Sequence, residues 1–243
     1  MKLEIYDTYE EVSERAAAII AAQIREKPDT VLGLPTGETP IGTYDRLIRE
    51  YEAGKLDFLH VTTFNLDEYY PISPRDPQSY RYFMNQHLFL HVNIPMDATH
   101  VPEGSAEDAD AACAAYEKAM REAGGVDLQV LGIGRNGHIG FNEPGGAPDS
   151  LTHRVTLTQN TIEANSRLFR DISEVPTHAL TMGLGTILRA KKIIILITGE
   201  TKREALRRLL SGKVTADCPA SVLCGHDDVT VLCDRAAAEG ITA

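Results

Sequence analysis

The chain has 243 residues, with 35 acidic and 24 basic side chains and a net charge of −11 at pH 7. The field of such a chain repels phosphate polymers and anionic lipid surfaces, which argues against binding to nucleic acids or membranes. Hydrophobic residues make up 43% and charged residues 24% of the chain, a composition typical of compact globular proteins. The length fits one domain that spans residues 1–243.

The sequence carries no signal for export, membrane insertion or metal binding. Acids stand in the first residues, where a signal peptide needs an apolar run, and the longest aliphatic block, residues 193–197, is too short to span a bilayer. The four cysteines lack a C-x-x-C pair, and His87 and His91 lack the acid of a helical zinc motif. We therefore expect a cytoplasmic protein without a metal.

The first third of the chain alternates between helix and strand signals. Thr8 and Glu11 form a capping-box pattern before an apolar stripe of helical spacing, which predicts a helix that ends near residues 27–28. Residues 30–34 then form a short apolar run typical of a buried strand. Thr39 and Pro40 follow as an expected N-cap and first helical residue.

The same alternation continues to the end of the chain. Further strands are predicted near residues 61–64, 128–133, 192–198 and 229–233, and helices over residues 106–123 and 202–210. Since these strands are continuous apolar runs, we expect an open α/β fold of Rossmann-like type, in which helices cover both faces of a largely parallel sheet. Ligands of such sheets bind beyond the carboxyl ends of the strands, so candidate residues are sought there.

The loop after the first of these strands is a candidate phosphate site. Residues 33–40 read GLPTGETP and lead into a predicted helix, whose free amides and dipole favour an anion. The loop lacks the Gly-Lys-Ser/Thr of a nucleotide P-loop. A plain turn is the alternative interpretation.

Two acids, Asp67 and Glu68, follow the next strand in an aromatic neighbourhood. Neighbouring residues of an extended chain point in opposite directions, so only one of the two is expected to face a cleft. Burial there would raise the pKa of its carboxyl towards a value that suits a general base. A solvated acidic turn is the simpler alternative.

The third loop contains a literal G-x-G-x-x-G at residues 132–137. A dinucleotide site is excluded because residues 144–146, Pro-Gly-Gly, break the helix that should follow, and residues 152–160 lack the expected acid. What remains is His138, bracketed by Asn136 and Glu143. A histidine with such potential orienting partners is a candidate acid/base catalyst.

Two cations complete the set of candidates. Arg167 stands in the segment Asn165-Ser166-Arg167, and Lys202 stands at the predicted start of a helix. A lysine near free helical amides suits an anion such as phosphate bound between them, although a solvated lysine is the alternative.

Several of these motifs, in the same order, resemble the motif set of glucosamine-6-phosphate deaminases, and the match extends over residues 31–210. The motifs are GLPTGxTP at residues 33–40, FNLDEY at 64–69, GHIGFNEP at 137–144 and ANSR at 164–167. The resemblance implies conversion of glucosamine 6-phosphate and water to fructose 6-phosphate and ammonia without a metal or cofactor.

The resemblance also assigns roles. His138, oriented by Glu143 and Asn136, would open the sugar ring, and Asp67 would move the proton from C2 to C1. The phosphate would bind Thr36, Gly37, Glu38, Thr39, Arg167 and Lys202. The family's mobile lid would correspond to about residues 152–182, called the lid segment below.

The chain departs from the family pattern in three places. Asn136 replaces an aspartate of some members, and Glu38 puts an anion in the phosphate loop, where we expect its side chain to turn outward. Residues 153–155 lack the basic pair of allosteric hexameric members, which predicts an enzyme without an allosteric activator and compatible with a monomer. The alternatives are a 6-phosphogluconolactonase, which usually shows Asp-Gly-His-Thr, and a catalytically silent sugar-phosphate sensor.

Overall fold

A computed structural model describes residues 1–167 and 169–241. Its main sheet has seven parallel strands in the order β1-β10-β9-β6-β2-β3-β5. The strands of this sheet are β1 (Lys2–Tyr6), β2 (Val31–Leu34), β3 (Thr62–Asn65), β5 (Thr99–His100), β6 (Leu128–Gly132), β9 (Lys192–Ile197) and β10 (Val229–Asp234). A second, antiparallel sheet consists of β4 (Asp67–Tyr70), β8 (His178–Thr181) and β7 (His153–Thr156), in that order.

The described residues contain eight α-helices. They are α1 (Tyr9–Glu26), α2 (Ile41–Glu52), α3 (Tyr80–His87), α4 (Ala109–Glu122), α5 (Gln159–Ser166), α6 (Leu184–Ile187), α7 (Arg203–Leu210) and α8 (Arg235–Ala238). Thr8 caps α1 as predicted, since its hydroxyl accepts a hydrogen bond from the Glu11 N–H at 3.2 Å.

Two hydrophobic cores lie on opposite faces of the main sheet, and β9 contributes to both. Ile193, Ile195 and Ile197 pack in the core that contains residues of α4, α7 and α8. Ile194 and Leu196 pack in the core that contains residues of α1, α2 and α3. Successive side chains of a strand point to opposite faces, so a continuous aliphatic run indicates a sheet covered on both sides. The predicted open α/β fold with helices on both faces is confirmed.

Some predicted boundaries were wrong. The helix after β2 begins at Ile41 with Pro40 as its N-cap, so Thr39 is not the cap and Pro40 is not the first helical residue. The features that were not predicted include the edge strand β1 and the second sheet, in which Asp67 and Glu68 belong to a strand rather than a loop. Within the described residues, no helix has the length and apolarity that a bilayer crossing requires.

Candidate active site

The candidate residues meet along one edge of the main sheet. Strand β6 lies between β9 and β2, and β3 lies beside β2, with all four strands parallel. Their carboxyl ends therefore open on the same edge, where open α/β sheets bind ligands. The phosphate loop follows β2, the loop with His138 follows β6, and Lys202 follows β9.

The His138 ring lies directly on the backbone of Gly134. A Cβ atom at Gly134 would come within 2.2–2.4 Å of three ring atoms, so a side chain at residue 134 would displace the imidazole. The Gly134 N–H donates a hydrogen bond to the His138 carbonyl at 2.9 Å, which closes the loop. The glycines of this loop thus position a histidine rather than a dinucleotide.

Glu143 and Asn136 hold this histidine. The Asn136 amide donates to Glu143 Oε2 at 2.6 Å, and Asn136 Oδ1 accepts from the His138 backbone N–H at 3.2 Å. Glu143 Oε1 lies 3.4 Å from His138 Nδ1, close enough for an ion pair but long for a hydrogen bond, and Nδ1 has no hydrogen-bond partner among the described residues.

The Glu143 carboxyl is kept ionised by these contacts. The adjacent His138 imidazole is the largest cause, and it outweighs partial burial in lowering the pKa of Glu143 to about 2; Asn136 and the Thr161 hydroxyl add to the effect. The carboxylate is therefore charged at neutral pH and able to stabilise a protonated imidazole.

Asp67 lies beside the same loop, against Gly140. A Cβ atom at Gly140 would lie 2.9 Å from Thr181 Oγ1 and 3.2 Å from Asp67 Oδ2, and the φ angle of Gly140 is +57°. Both the space and the backbone conformation therefore favour glycine. Asp67 therefore lies against the loop at a residue two positions after His138.

The Asp67 carboxyl is buried, with 6% of the residue exposed. Burial is the larger cause and the charge of Glu68 the smaller in raising the pKa of Asp67 to about 8. A carboxylate of such basicity is suited to remove a proton from carbon near neutral pH. The alternative of a solvated acidic turn is excluded, because Glu68 is buried as well.

Glu68 points away from Asp67, towards helix α3. Its carboxylate accepts hydrogen bonds from the backbone N–H groups of Tyr69, Tyr80 and Arg81 at 2.8–2.9 Å. Burial nevertheless outweighs these bonds and raises the pKa of Glu68 to about 7. The two acids thus differ in role: Glu68 binds the start of α3, and Asp67 remains available beside the loop.

The predicted phosphate residues divide into two groups. Thr36, Gly37, Glu38 and Thr39 form the loop before α2, and none of their N–H groups donates to a backbone carbonyl among the described loop hydrogen bonds. Arg167 reaches this loop from the lid segment, where its Nη2 lies 2.9 Å from Glu38 Oε1. Glu38 is exposed as expected, but it pairs with the cation assigned to the phosphate.

Lys202 lies in a 3-10 turn just before α7. Burial, and secondarily the charge of Arg135, lower the pKa of Lys202. Two cations face the same edge, since Arg135 follows β6 and Lys202 follows the neighbouring strand β9. Over the described part of the chain, no group of three or more His, Cys, Asp or Glu side chains is arranged to hold a metal ion.

Sequence reasoning missed three neighbours of the site: Thr161, Thr181 and Arg135. Thr161 donates to Glu143 Oε1 at 3.1 Å, and Thr181 Oγ1 accepts from the Phe141 N–H at 3.2 Å. Both threonines belong to the lid segment and reach the loop only through the tertiary fold. Arg135 stands next to Asn136 in the sequence, and this adjacency was the signal that could have identified it.

A buried base, an oriented imidazole and an edge with several cations define an α/β protein that binds a small anionic ligand beyond its parallel strands. The chain belongs to the glucosamine-6-phosphate isomerase/6-phosphogluconolactonase family, whose model matches residues 6–232.

Relatives in this family are similar over nearly the whole chain. A glucosamine-6-phosphate deaminase of Halothermothrix orenii is 50% identical over 238 residues, which cover 98% of this chain and 99% of the relative. Glucosamine-6-phosphate deaminase 2 of Bacillus subtilis is 50% identical over 241 residues, which cover 98% and 97%.

Solved structures agree with the fold. A monomeric glucosamine-6-phosphate deaminase is 52% identical with a TM-score of 0.96, over 98% of this chain and 99% of the other. The 6-phosphogluconolactonase of Trypanosoma cruzi is 20% identical with a TM-score of 0.82, over 100% of this chain and 97% of the other. The second likeness extends to the fold alone.

Proposed function

We propose that the protein is a glucosamine-6-phosphate deaminase in which Asp67 and His138 carry the acid–base chemistry. The proposal rests on one arrangement. The buried, basic carboxyl of Asp67 lies against Gly140, and His138, two residues before Gly140, carries the imidazole that pairs with Glu143. Both lie beside an edge of the sheet that is lined by cations. Relatives about 50% identical carry the name of this enzyme. The chemistry needs a base that removes a proton from carbon and a second group that moves protons between sugar oxygens; a buried carboxyl of raised pKa suits the first role, and an imidazole beside a carboxylate suits the second.

Ring opening is the first step, and His138 performs it. The imidazole takes the proton of the O1 hydroxyl and delivers a proton to O5 as the bond between C1 and O5 breaks, leaving an open-chain aldehyde. Glu143 stabilises the imidazolium formed in transit, while Asn136 fixes the carboxylate in place. In this pair the histidine transfers the proton and the carboxylate stabilises its charged form.

Isomerisation follows at C1 and C2. Asp67 removes the C2 proton while a proton passes from the substrate ammonium group to O1, which gives a neutral enolamine; the Asp67 carboxyl then returns its proton to C1, which leaves a protonated imine at C2. Water then adds to this imine and ammonia departs, giving fructose 6-phosphate; this use of water is the basis for placing the enzyme among hydrolases. The substrate ammonium group lies on C2, and its positive charge favours the ionised form of the nearby carboxylate.

The phosphate binds at the other end of the sugar. Amides of Thr36, Gly37, Glu38 and Thr39 just before α2 offer donors without a backbone partner among the described residues, and Arg167 and Lys202 offset the charge of the dianion. Arg167 supplies a planar fork and Lys202 a point charge.

We place the whole protein in the cytoplasm as one domain of residues 1–243, with residues 152–182 as a mobile lid; residue 168 of this segment lies outside the described residues. The similar monomeric deaminase favours a monomer. Residues 153–155 favour an enzyme without an allosteric activator, so sigmoidal kinetics relieved by N-acetylglucosamine 6-phosphate would contradict this part.

The test is release of ammonia and fructose 6-phosphate from glucosamine 6-phosphate by the purified protein. Loss of a positioned general base lowers rates by roughly 10²–10⁴-fold, so Asp67→Asn should show a kcat reduced in that range. Asp29→Asn is the matched control, because Asp29 is exposed and precedes β2 at the opposite edge of the sheet.

Three other outcomes would redirect the proposal. Equal rates for the parent and Asp67→Asn would remove Asp67 from the mechanism. Hydrolysis of 6-phosphogluconolactone without ammonia release would identify a lactonase. Binding of both sugar phosphates without turnover of either would identify a sensor.

A further inference from the structure

One ion pair joins the phosphate loop to the lid segment. Arg167 Nη2 lies 2.9 Å from Glu38 Oε1, and the two residues are 129 positions apart in the chain. Arg167 is the C-cap of α5, while Glu38 lies in the turn that leads into α2. The pair therefore bridges two segments that are far apart in sequence.

The backbone at Glu38 is held independently of this pair. The Glu38 carbonyl accepts hydrogen bonds from the Tyr9 hydroxyl at 3.2 Å and from the Ile41 N–H at 3.3 Å. Only the side chain thus needs to move for the ion pair to break. Both partners are open to solvent, with 65% of the Arg167 and 77% of the Glu38 side chain exposed, so the pair is easily exchanged.

We infer that Glu38 is a positioning residue. Its carboxylate pairs with the Arg167 guanidinium when no phosphate is bound, and the substrate phosphate replaces it there. The assignment of that anion to a sugar phosphate rests on the proposed function; the exchange itself concerns any phosphate. A phosphate dianion outcompetes a carboxylate for a guanidinium because it carries more charge and accepts two parallel hydrogen bonds.

The exchange has two opposite effects. The carboxylate keeps Arg167 over the phosphate loop, where its guanidinium can reach an incoming phosphate. The same carboxylate must be displaced, which weakens phosphate binding. Exposed ion pairs contribute up to about 1 kcal/mol, so the competition weakens binding by up to about fivefold.

The first measurement is calorimetric titration of the full-length protein with inorganic phosphate. Glu38→Gln keeps the size of the side chain but removes its charge, and its dissociation constant for phosphate should fall about two- to fivefold. Glu50→Gln is the matched control, because Glu50 forms a similar exposed pair with Arg25 at 2.7 Å near the end of α2. Its dissociation constant should equal that of the parent.

A double-mutant comparison distinguishes two effects of Glu38: competition with phosphate for Arg167, and direct repulsion of the phosphate by the Glu38 charge. If Glu38 acts through Arg167, the gain from Glu38→Gln should largely vanish in an Arg167→Ala background. An equal gain in both backgrounds would overturn the inference, as would a Glu38→Gln protein that binds phosphate no more tightly than the Glu50→Gln control.

Kinetics give an independent measurement. With glucosamine 6-phosphate, Glu38→Gln should lower KM, whereas damage to the loop would raise it. Phosphate titration requires no turnover, so it reports on the exchange even if ammonia release fails and the proposed reaction is wrong. A raised KM together with weaker phosphate binding would show that Glu38 supports the site instead of competing for it.

Discussion

The Thr161 hydroxyl donates a hydrogen bond to Glu143 Oε1 at 3.1 Å, and the same oxygen lies 3.4 Å from His138 Nδ1. Thr161 belongs to α5, inside the lid segment, whereas Glu143 belongs to the loop after β6. One carboxylate oxygen therefore contacts both the lid segment and the imidazole. A displacement of α5 would change the environment of the histidine without moving the histidine itself.

Replacing Thr161 by valine tests this coupling, because valine keeps the shape but cannot donate. Loss of one hydrogen bond of about 0.6–1.4 kcal/mol gives an expected drop in kcat of roughly threefold to tenfold. The measurement is steady-state ammonia release. Thr230→Val on β10 is the control, and equal kcat values for the two variants would show that the contact does not serve the reaction.

The Asp67→Asn substitution should stabilise the fold, by an amount that depends on pH. Burial raises the pKa of Asp67 from 3.8 to about 8, so between these values the unfolded chain releases a proton that the folded protein keeps. Stability of the parent relative to the asparagine variant therefore falls as pH rises from 4 to 8, by at most about 1.4 kcal/mol for each pH unit.

Thermal unfolding at pH 5, 6.5 and 8 measures this effect. The excess Tm of Asp67→Asn over the parent should grow across the series and level off above pH 8. Asp29→Asn supplies the baseline for removing an exposed charge. A Tm difference that does not vary with pH would mean that Asp67 is ionised in the folded protein throughout.

The main sheet and the loops at its carboxyl edge were predictable because their signals are local. The aliphatic run of β9 supplies both cores, so its composition alone indicates a strand covered on two sides. The loop around His138 was equally predictable, because the proline and glycines that follow it exclude the helix that a dinucleotide-binding motif requires.

The second sheet could not be predicted, because it depends on pairing across long sequence separations. Strand β4 has the sequence DEYY, which looks like a polar turn, and it pairs with Thr181 of β8, 114 residues beyond Asp67. The Glu38–Arg167 pair could not be predicted for the same reason, since its partners are 129 residues apart in the sequence. The edge strand β1 is only partly buried, so it lacks the apolar run that marked the central strands.

The charge of Glu68 is the second cause of the raised pKa of Asp67. In Glu68→Gln this charge is absent, so the pKa of Asp67 falls and the acidic limb of the profile of kcat/KM against pH moves to lower pH. The base also becomes weaker, so the plateau above the limb should be lower.

The profile for glucosamine 6-phosphate should be measured for the parent and Glu68→Gln under identical conditions, so that ionisations of the substrate cancel in the comparison. The glutamine leaves one backbone N–H at the start of α3 without its acceptor, and some loss of Tm is expected as well. Partial unfolding lowers kcat/KM over the whole pH profile, whereas only a change in the pKa of Asp67 moves the acidic limb along the pH axis. A limb that stays in place would show that Glu68 anchors α3 without tuning the base, and a limb displaced to higher pH would contradict the assignment of Asp67 as that base.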